Sequence, residues 1–264
     1  MMDHSNLGQR MKDNYENISK TKLVRRMPVI IRLDGKAFHT FTRGFQKPFD
    51  DVLIKTMQET TKYLCENIQG CVFGYTQSDE ITLVLVDYQK LTSCAWFDYE
   101  VQKICSISAS MATMAFNRFF EINVEEWEPE NLSYDTVKFD TAYQMGMAKG
   151  AMFDSRCFNI PKEEVTNCVY WRQLDATRNS IQMVGQANFS HKELQNKSCN
   201  MIQDMLFTQK GINWNDLPTV YKRGSACIRD EEGHWFIDTE MPILKKTEDV
   251  DYRYYVDKLI NLGE

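Results

Sequence analysis

The chain alternates between two hydrophobic periods. "MPVIIRL" (Met27 to Leu33) is a β-rich run that halts at Asp34-Gly35, which predicts a strand. From Phe49 to Ile68 the apolar residues Leu53, Met57, Leu64 and Ile68 recur at helical spacing. Pro48 lies just ahead, acids occupy the first turn and Gly70 follows the end, so this is an amphipathic helix. "CVFGYT" (Cys71 to Thr76) and "ITLVLV" (Ile81 to Val86) read as two strands joined by the four residues "QSDE", a hairpin. From about Ser93 to Phe120 the helical period returns at Phe97, Val101, Ile104, Met111, Ala115 and Phe119. Ser106, Ser108, Ala109, Ser110 and Ala112 permit close packing there. A polar connection with acidic and glycine-containing patches then leads to a further strand, "AMFDSRCFNI" (Ala151 to Ile160).

The order strand, helix, strand, strand, helix, strand is that of a split-βαβ, ferredoxin-like sheet, so the fold class is α+β with a βαββαβ core. Residues 161–264 read as mainly helical at first, in "EVTNCVYWRQLDATRNSIQMVGQANF" and "HKELQNKSCNMIQDMLFTQ". They close with strand-like pieces, "GSACIRD" and "GHWFID", and a candidate terminal helix, "DYRYYVDKLINL". No Pro- or Ser-rich linker separates the halves. The expected organisation is a core over 1–150, with 151–264 supplying the last core strand and a region packed on it.

Composition is that of a globular chain: 264 residues, 43% hydrophobic and 26% charged. No apolar run approaches the roughly 20 residues needed to span a membrane. The polar N-terminal stretch lacks a signal-peptide core, which points to the cytoplasm. None of the eight cysteines forms a C-x-x-C pair and no histidine stands at ligand spacing, so zinc is poorly supported and reduced thiols are expected. The net charge of −6 excludes a generally basic nucleic-acid coat. Local basic patches remain at "KTKLVRRM" and at "YKRG", which contains Lys222 and Arg223.

The element order gives the acids a meaning beyond turn chemistry. In a split-βαβ unit the first two strands are parallel, with the third antiparallel between them. Asp34 follows the first strand, and Asp79 and Glu80 follow the second, so topology brings all three to one sheet edge. Converging carboxylates bind hard cations through oxygen. Two such ions about 3.5–4 Å apart can activate a hydroxyl and stabilise a leaving oxygen in phosphoryl transfer. Gly35 permits close approach of a carbonyl or phosphate, and "DGKAFH" offers successive backbone N–H groups. Lys103, with Ser106 and Ser110 on nearly the same helix face, and Lys47 are candidate phosphate contacts. Taken singly, Asp34-Gly35 is a common turn dipeptide, Lys103 a solvated helix lysine and His39 a surface or packing residue.

"IRLDGKAFHTF", "FQKPFD", "YTQSDEITLVL", "FDSRCFNIP", "YWRQLDATRNS" and "LPTVYKRG", in this order, resemble the tRNAHis guanylyltransferase superfamily from about Arg10 to Arg229. The resemblance implies a polymerase-palm-like core, two Mg2+ ions, and addition of nucleotides to the 5′ end of tRNA in the 3′–5′ direction. It implies metal ligation by Asp34, Gly35 through its carbonyl, and Asp79, with Glu80 beside them as a catalytic acid. It implies nucleotide binding by the loop Asp34, Gly35, Lys36, Ala37, Phe38 and His39, with Ser78, Lys47 and Lys103 near the triphosphate. Asp175 and Asn179 match functional positions of its "WRQxDxHxNN" segment, and with Lys222 and Arg223 are candidates for RNA contact or activation. GTP or another NTP and ATP are the implied nucleotide substrates, and tetramers the implied assembly.

One departure is informative. Enzymes that add a single G to tRNAHis carry "HINN" where this chain has "TRNS", Thr177 to Ser180. That resembles the "like" branch, found in bacteria and archaea among others, whose members extend truncated tRNA 5′ ends against the opposite strand. The implied reaction is ATP or GTP activation of a 5′-phosphate, then attack by the 3′-hydroxyl of an incoming NTP. Two enzymatic alternatives stay open, a palm-type purine nucleotide cyclase and a strict tRNAHis guanylyltransferase. A catalytically silent RNA-binding module is disfavoured by the intact Asp34, Gly35 and Asp79 set.

Overall fold

The structure is a computed structural model that describes residues 6–128 and 134–261. Its ten α-helices, among the described residues, are α1 (Asn6–Met11), α2 (Phe38–Phe41), α3 (Asp51–Asn67), α4 (Val101–Glu125), α5 (Tyr134–Lys149), α6 (Lys162–Asn188), α7 (His191–Leu194), α8 (Cys199–Lys210), α9 (Thr219–Arg223) and α10 (Tyr254–Ile260). Six strands, β1 (Val29–Gly35), β2 (Cys71–Gln77), β3 (Glu80–Leu85), β4 (Phe153–Asn159), β5 (Ser225–Arg229) and β6 (Trp235–Asp238), form one sheet in the order β4-β1-β3-β2-β5-β6. Every adjacent pair is antiparallel, so β1 and β2 flank β3 and run parallel to each other. The fold is α+β, with the expected placement of the third strand.

β2 and β3 are buried on both faces, which explains why "CVFGYT" and "ITLVLV" are near-continuous apolar runs rather than alternating ones. α3 and α4 cover one face: Met57, Leu64 and Cys65 from α3 and Ile104, Ala112, Phe116 and Phe120 from α4 share a core cluster with Ile31, Leu33, Ile81 and Leu83. On the other face Val165 and Val169 of α6 and Val256 and Ile260 of α10 join Ile30, Phe73, Tyr75 and Val84. The terminal helix therefore packs on this chain's own core; Leu262, the last residue of its predicted segment, lies outside the described residues. The strand-like C-terminal pieces extend the same sheet, with Ala226 opposite Tyr75.

Four expectations change. The hairpin turn is two residues, Ser78 and Asp79, because Gln77 and Glu80 already pair in the ladder. The helix predicted from Ser93 starts at Val101, after a short 3-10 turn at Trp96–Tyr99. Phe97 and Asp98 there have positive φ, and Phe97 is exposed. The real buried stripe of α4 is Ile104, Ser108, Ala112, Phe116 and Phe120, and the small residues let Ser108 come within 2.8 Å of Ser155. The polar connection contains α5, whose inward face is Phe139, Ala142, Tyr143, Gly146 and Met147; residues 129–133 of that connection lie outside the described set. Tyr143 packs on Phe45 and Phe120 and donates to Asp50 at 2.9 Å. No helix is long and apolar enough, among the described residues, to cross a membrane.

Candidate active site

The ladder register places Asp34 on β1 opposite Glu80 on β3 and opposite Asp154 on β4. The two-residue turn folds over the end of β1, where the Gly35 N–H donates to the Asp79 carbonyl at 3.0 Å. Ser78 adopts φ +50°, a left-handed conformation, and its hydroxyl donates to Asp79 Oδ1 at 3.1 Å, fixing the carboxylate beside the strand end. Burial pushes the Asp79 pKa up to about 6, against its own backbone N–H, and the nearby Asp34 charge adds to the rise. Asp34 is raised too, by burial, then by Glu80 and Asp154, against the partial relief of Arg156 and Arg32. The two carboxylates sit together with too little positive charge to stabilise both ionised forms.

Glu80 has a different environment. One oxygen meets Arg32 Nη2 at 3.3 Å, and the other takes a short hydrogen bond from Arg172 Nη2. Arg172 is 4% exposed and also binds Asp175 Oδ2 at 2.8 Å. Asp175 accepts from Arg178 at 2.6 Å and, at 3.4 Å, from Asn179. Burial alone would raise the Asp175 pKa, but the guanidinium groups of Arg178 and Arg172 outweigh it and hold the carboxyl below its ordinary value. Glu80 and Asp175 are thus the acids of an arginine-bridged chain behind the turn, so Asp79 and Glu80, adjacent in sequence, face different partners. Arg172 and Arg32 were not singled out from the sequence, although both lie inside quoted motifs.

A cleft of about 480 Å³ opens beside the turn, lined by Gly35, Ala37, Phe38, His39, Lys47, Ser78 and Asp79 together with Gln46, Asp50, Met183 and Gln186 among others. A smaller chamber of about 90 Å³ adjoins it, sharing Asp50, Ser78 and Met183 and reaching Asn179 and Tyr221. The loop at Gly35 is tighter than a free amide cradle. The Gly35 amide bonds the turn, and the Lys36 amide donates to Met152 O at 2.8 Å. That leaves Ala37, Phe38 and His39, whose N–H groups open α2, where no intrahelical acceptor exists. The glycine is required by packing: a Cβ at Gly35 would lie 2.2 Å from the buried Phe38 ring. Asp50, missed in the sequence although it stands in "FQKPFD", caps α3 through Leu53 N and holds Gln46 N, both at 2.9 Å. Met183, Gln186 and Ala187 of α6 close the cleft from the far side, where no motif pointed.

Lys103 is not brought to this cleft. It is exposed at the start of α4 and faces Glu100 at 3.8 Å. The part of α4 level with the acids is ten residues further on, where Thr113 accepts from Phe153 N, about 15 Å along the axis. The hydroxyls of Ser106 and Ser110 bond back to carbonyls of their own helix. Lys222 is tied to Asn215 O at 2.5 Å, and Arg223 to Thr219 at 3.2 Å. Thr177, at the position of the "HINN" histidine, donates to Lys222 O at 3.3 Å, joining α6 to α9.

A glycine-led loop and the Asp79 carboxylate line the cleft, with Asp34 on the adjoining strand end, an arrangement suited to nucleotidyl transfer. The family model described as tRNAHis guanylyltransferase matches residues 8–161. The chain belongs to this family, whose members are nucleotidyltransferases that add nucleotides to tRNA in the 3′–5′ direction. It is 28% identical over 220 residues to a probable tRNA(His) guanylyltransferase of Dictyostelium discoideum, covering 78% of this chain and 77% of that protein. It is 26% identical over 219 residues to the tRNA(His) guanylyltransferase of Saccharomyces cerevisiae, covering 77% and 83%. Among solved structures, a bacterial tRNA(His) guanylyltransferase (Thg1)-like protein in complex with ATP superposes with a TM-score of 0.83 at 43% identity, over 98% of this chain and all of that one. A bacterial Thg1-like protein in complex with GTP gives 0.75 at 39% identity, over 97% of this chain and 100% of that one.

Proposed function

We propose that this chain repairs truncated tRNA 5′ ends by templated 3′–5′ addition, and that Asp34, the Gly35 carbonyl and Asp79 hold two magnesium ions at the cleft mouth. The observation that carries this reading is the pair Asp34 and Asp79, both with raised pKa, beside a cleft of about 480 Å³. The donor set fits magnesium. Among the described residues no cluster of three or more His, Cys, Asp or Glu forms a closed cage. Magnesium is bound through one or two carboxylates plus substrate phosphates rather than by such a cage.

When bound, the ions supply charge that stabilises the attacking and leaving oxygens of the displacement. The chain's own residues bind and orient. Lys47 and Ser78 would meet the triphosphate together with Ala37, Phe38 and His39, and Met183 and Gln186 of α6 line the opposite wall of the cleft. In the first stage a 5′-phosphate oxygen attacks the α-phosphorus of ATP or GTP and pyrophosphate leaves. In the second the 3′-hydroxyl of an incoming NTP attacks the activated 5′-phosphorus and the nucleoside monophosphate leaves. Catalysis is then mostly positioning and charge stabilisation.

In this reading the β4-β1-β3-β2 unit is a ferredoxin-like, polymerase-palm-like core within 1–150 plus β4, and the remainder of 151–264 buttresses it. Cytoplasmic location and a tetramer belong to the same proposal, as do RNA contacts near Asn179, Lys222 and Arg223. The test is a tRNA lacking its first 5′ nucleotide, labelled at the 5′-phosphate, given magnesium and single NTPs. Extension only by the nucleotide complementary to the opposing base supports the reading. Cyclic nucleotide formed from NTP alone favours the cyclase, and no extension by folded protein sinks the repair function.

A further inference from the structure

One face of the edge strand β4 stays open beside the acids. Asp154, Arg156 and Phe158 stand opposite Asp34, Arg32 and Ile30 of β1, and all three β4 residues are exposed. Directly opposed residues share a face of the sheet. α6 covers Ile30 through Val165 and Val169, and its outward line is Asn167, Trp171, Leu174 and Arg178, at intervals of four, three and four. Trp171 is 52% exposed, whereas the other four tryptophans are buried or half-buried.

This exposed indole is held by two cations. The Arg32 guanidinium carbon lies 5.2 Å from its ring centre and that of Arg172 lies 4.5 Å away. Both arginines are anchored on Glu80, so Trp171 is ordered before any ligand arrives. Arg32 and Asp34 are two residues apart on one strand face, about 7 Å. Trp171 therefore lies within about four base steps, at roughly 3.4 Å each, of the acids. Arg178 and Arg156 border the same surface; each carries one ion pair, to Asp175 and Asp154, and a guanidinium keeps further donors.

We propose that Trp171 is a stacking platform for the unpaired 3′-terminal stretch of the RNA strand opposite the 5′ end under extension, with Arg178 and Arg156 meeting its phosphates. This rests on the templated-addition reading. A shortened 5′ strand leaves its complement unpaired, and that complement must pass the acids for the incoming nucleotide to pair with it. An aromatic face beside arginines is the surface that binds single strands without sequence preference.

The experiment compares wild type, W171A and W171F on two RNAs with the same 5′ end. One carries a 3′ overhang several nucleotides beyond the templating base, and the other is trimmed just after it. W171A is expected to lose about tenfold in kcat/KM on the long overhang, to match wild type on the trimmed RNA, and to be largely rescued by W171F. Equal rates for W171A and wild type on both RNAs overturn the platform. An equal loss on both RNAs, with a lower mass by light scattering, also overturns it and assigns this face to a second copy of the chain. Should wild type extend neither RNA, the functional reading fails. The platform is then judged by fluorescence anisotropy of the labelled overhang strand, where unchanged affinity in W171A rejects it and about tenfold weaker binding supports it.

Discussion

Two pairs of acids gather around the end of β1 and the turn before β3 and meet opposite fates. Glu80 and Asp175 are joined through Arg172, with Arg32 and Arg178 at the ends, so their charge is balanced inside the protein. Asp34 and Asp79 have no comparable cation, and burial raises both pKa values. In the proposed reading the balanced pair supports the turn and the unbalanced pair holds the metal, since charge left uncompensated by the fold is available to a ligand. The largest effect should follow from breaking that second pair. Asp79→Asn or Asp34→Asn is expected to lower 5′ extension by roughly a thousandfold, with unchanged far-UV circular dichroism. Extension near wild-type rates in either variant would remove both from the site.

The balanced pair should answer with stability instead. Arg172→Ala leaves Glu80 and Asp175 facing each other without their shared cation, and removing one partner of a buried ion pair costs about 3 kcal/mol. Glu80 keeps Arg32 and some solvent, so the smaller end of that range is expected. Urea denaturation should show a lower midpoint with an unchanged slope. A variant as stable as wild type would mean that the arginine chain is not what holds the turn. Gly35→Ala probes the joint between the two pairs. Its Cβ would strike the Phe38 ring, which packs at 5.4 Å on Phe116 and 5.2 Å on Phe153. Overpacking of this kind costs about 2 kcal/mol, and it should also weaken nucleotide binding in a titration, because α2 moves with the ring.

Most of this contrast is visible in the sequence only as far as topology carries it. The strand order that brings Asp34 to the turn follows from the hydrophobic patterns of six segments, and the two central strands stand out because β2 and β3 are buried on both faces. What the periods do not carry is direction. Whether Asp79 or Glu80 turns toward the cleft depends on a hydrogen bond from Gly35 N and on Arg172, 92 residues beyond Glu80. Helix α5 was missed for another reason. Its inward residues Phe139, Ala142, Tyr143, Gly146 and Met147 keep helical intervals, but the apolar Val137 and Met145 face outward and blur the period, while Tyr143 secures Asp50 at the cleft wall. Lys103 shows the converse limit. A lysine among serines reads as a phosphate contact, but spacing along the sequence does not give its height on the helix, which is near Glu100 and about 15 Å along the axis from the turn level with the acids.

The smallest effect is the most specific to the unbalanced pair. Asp79 has a folded pKa of about 6 against an ordinary 3.8, so the metal-free native state holds its proton more tightly than the unfolded chain does. The stabilisation from that proton is complete below the ordinary value and is lost as pH rises through about 6. Without magnesium, wild-type stability should therefore fall between about pH 4 and pH 7, by on the order of 1 kcal/mol once solvent screening at the cleft mouth is allowed for. Asp79→Asn carries no proton to lose and should flatten that fall, so that metal-free D79N is the more stable protein at pH 8. Saturating magnesium should reverse the ranking, since the cation restores the wild type and finds one ligand fewer in the variant. Thermal melts at pH 5 and pH 8, each with magnesium and with chelator, measure all four corners. If magnesium stabilises both proteins equally, the ion is not bound through Asp79.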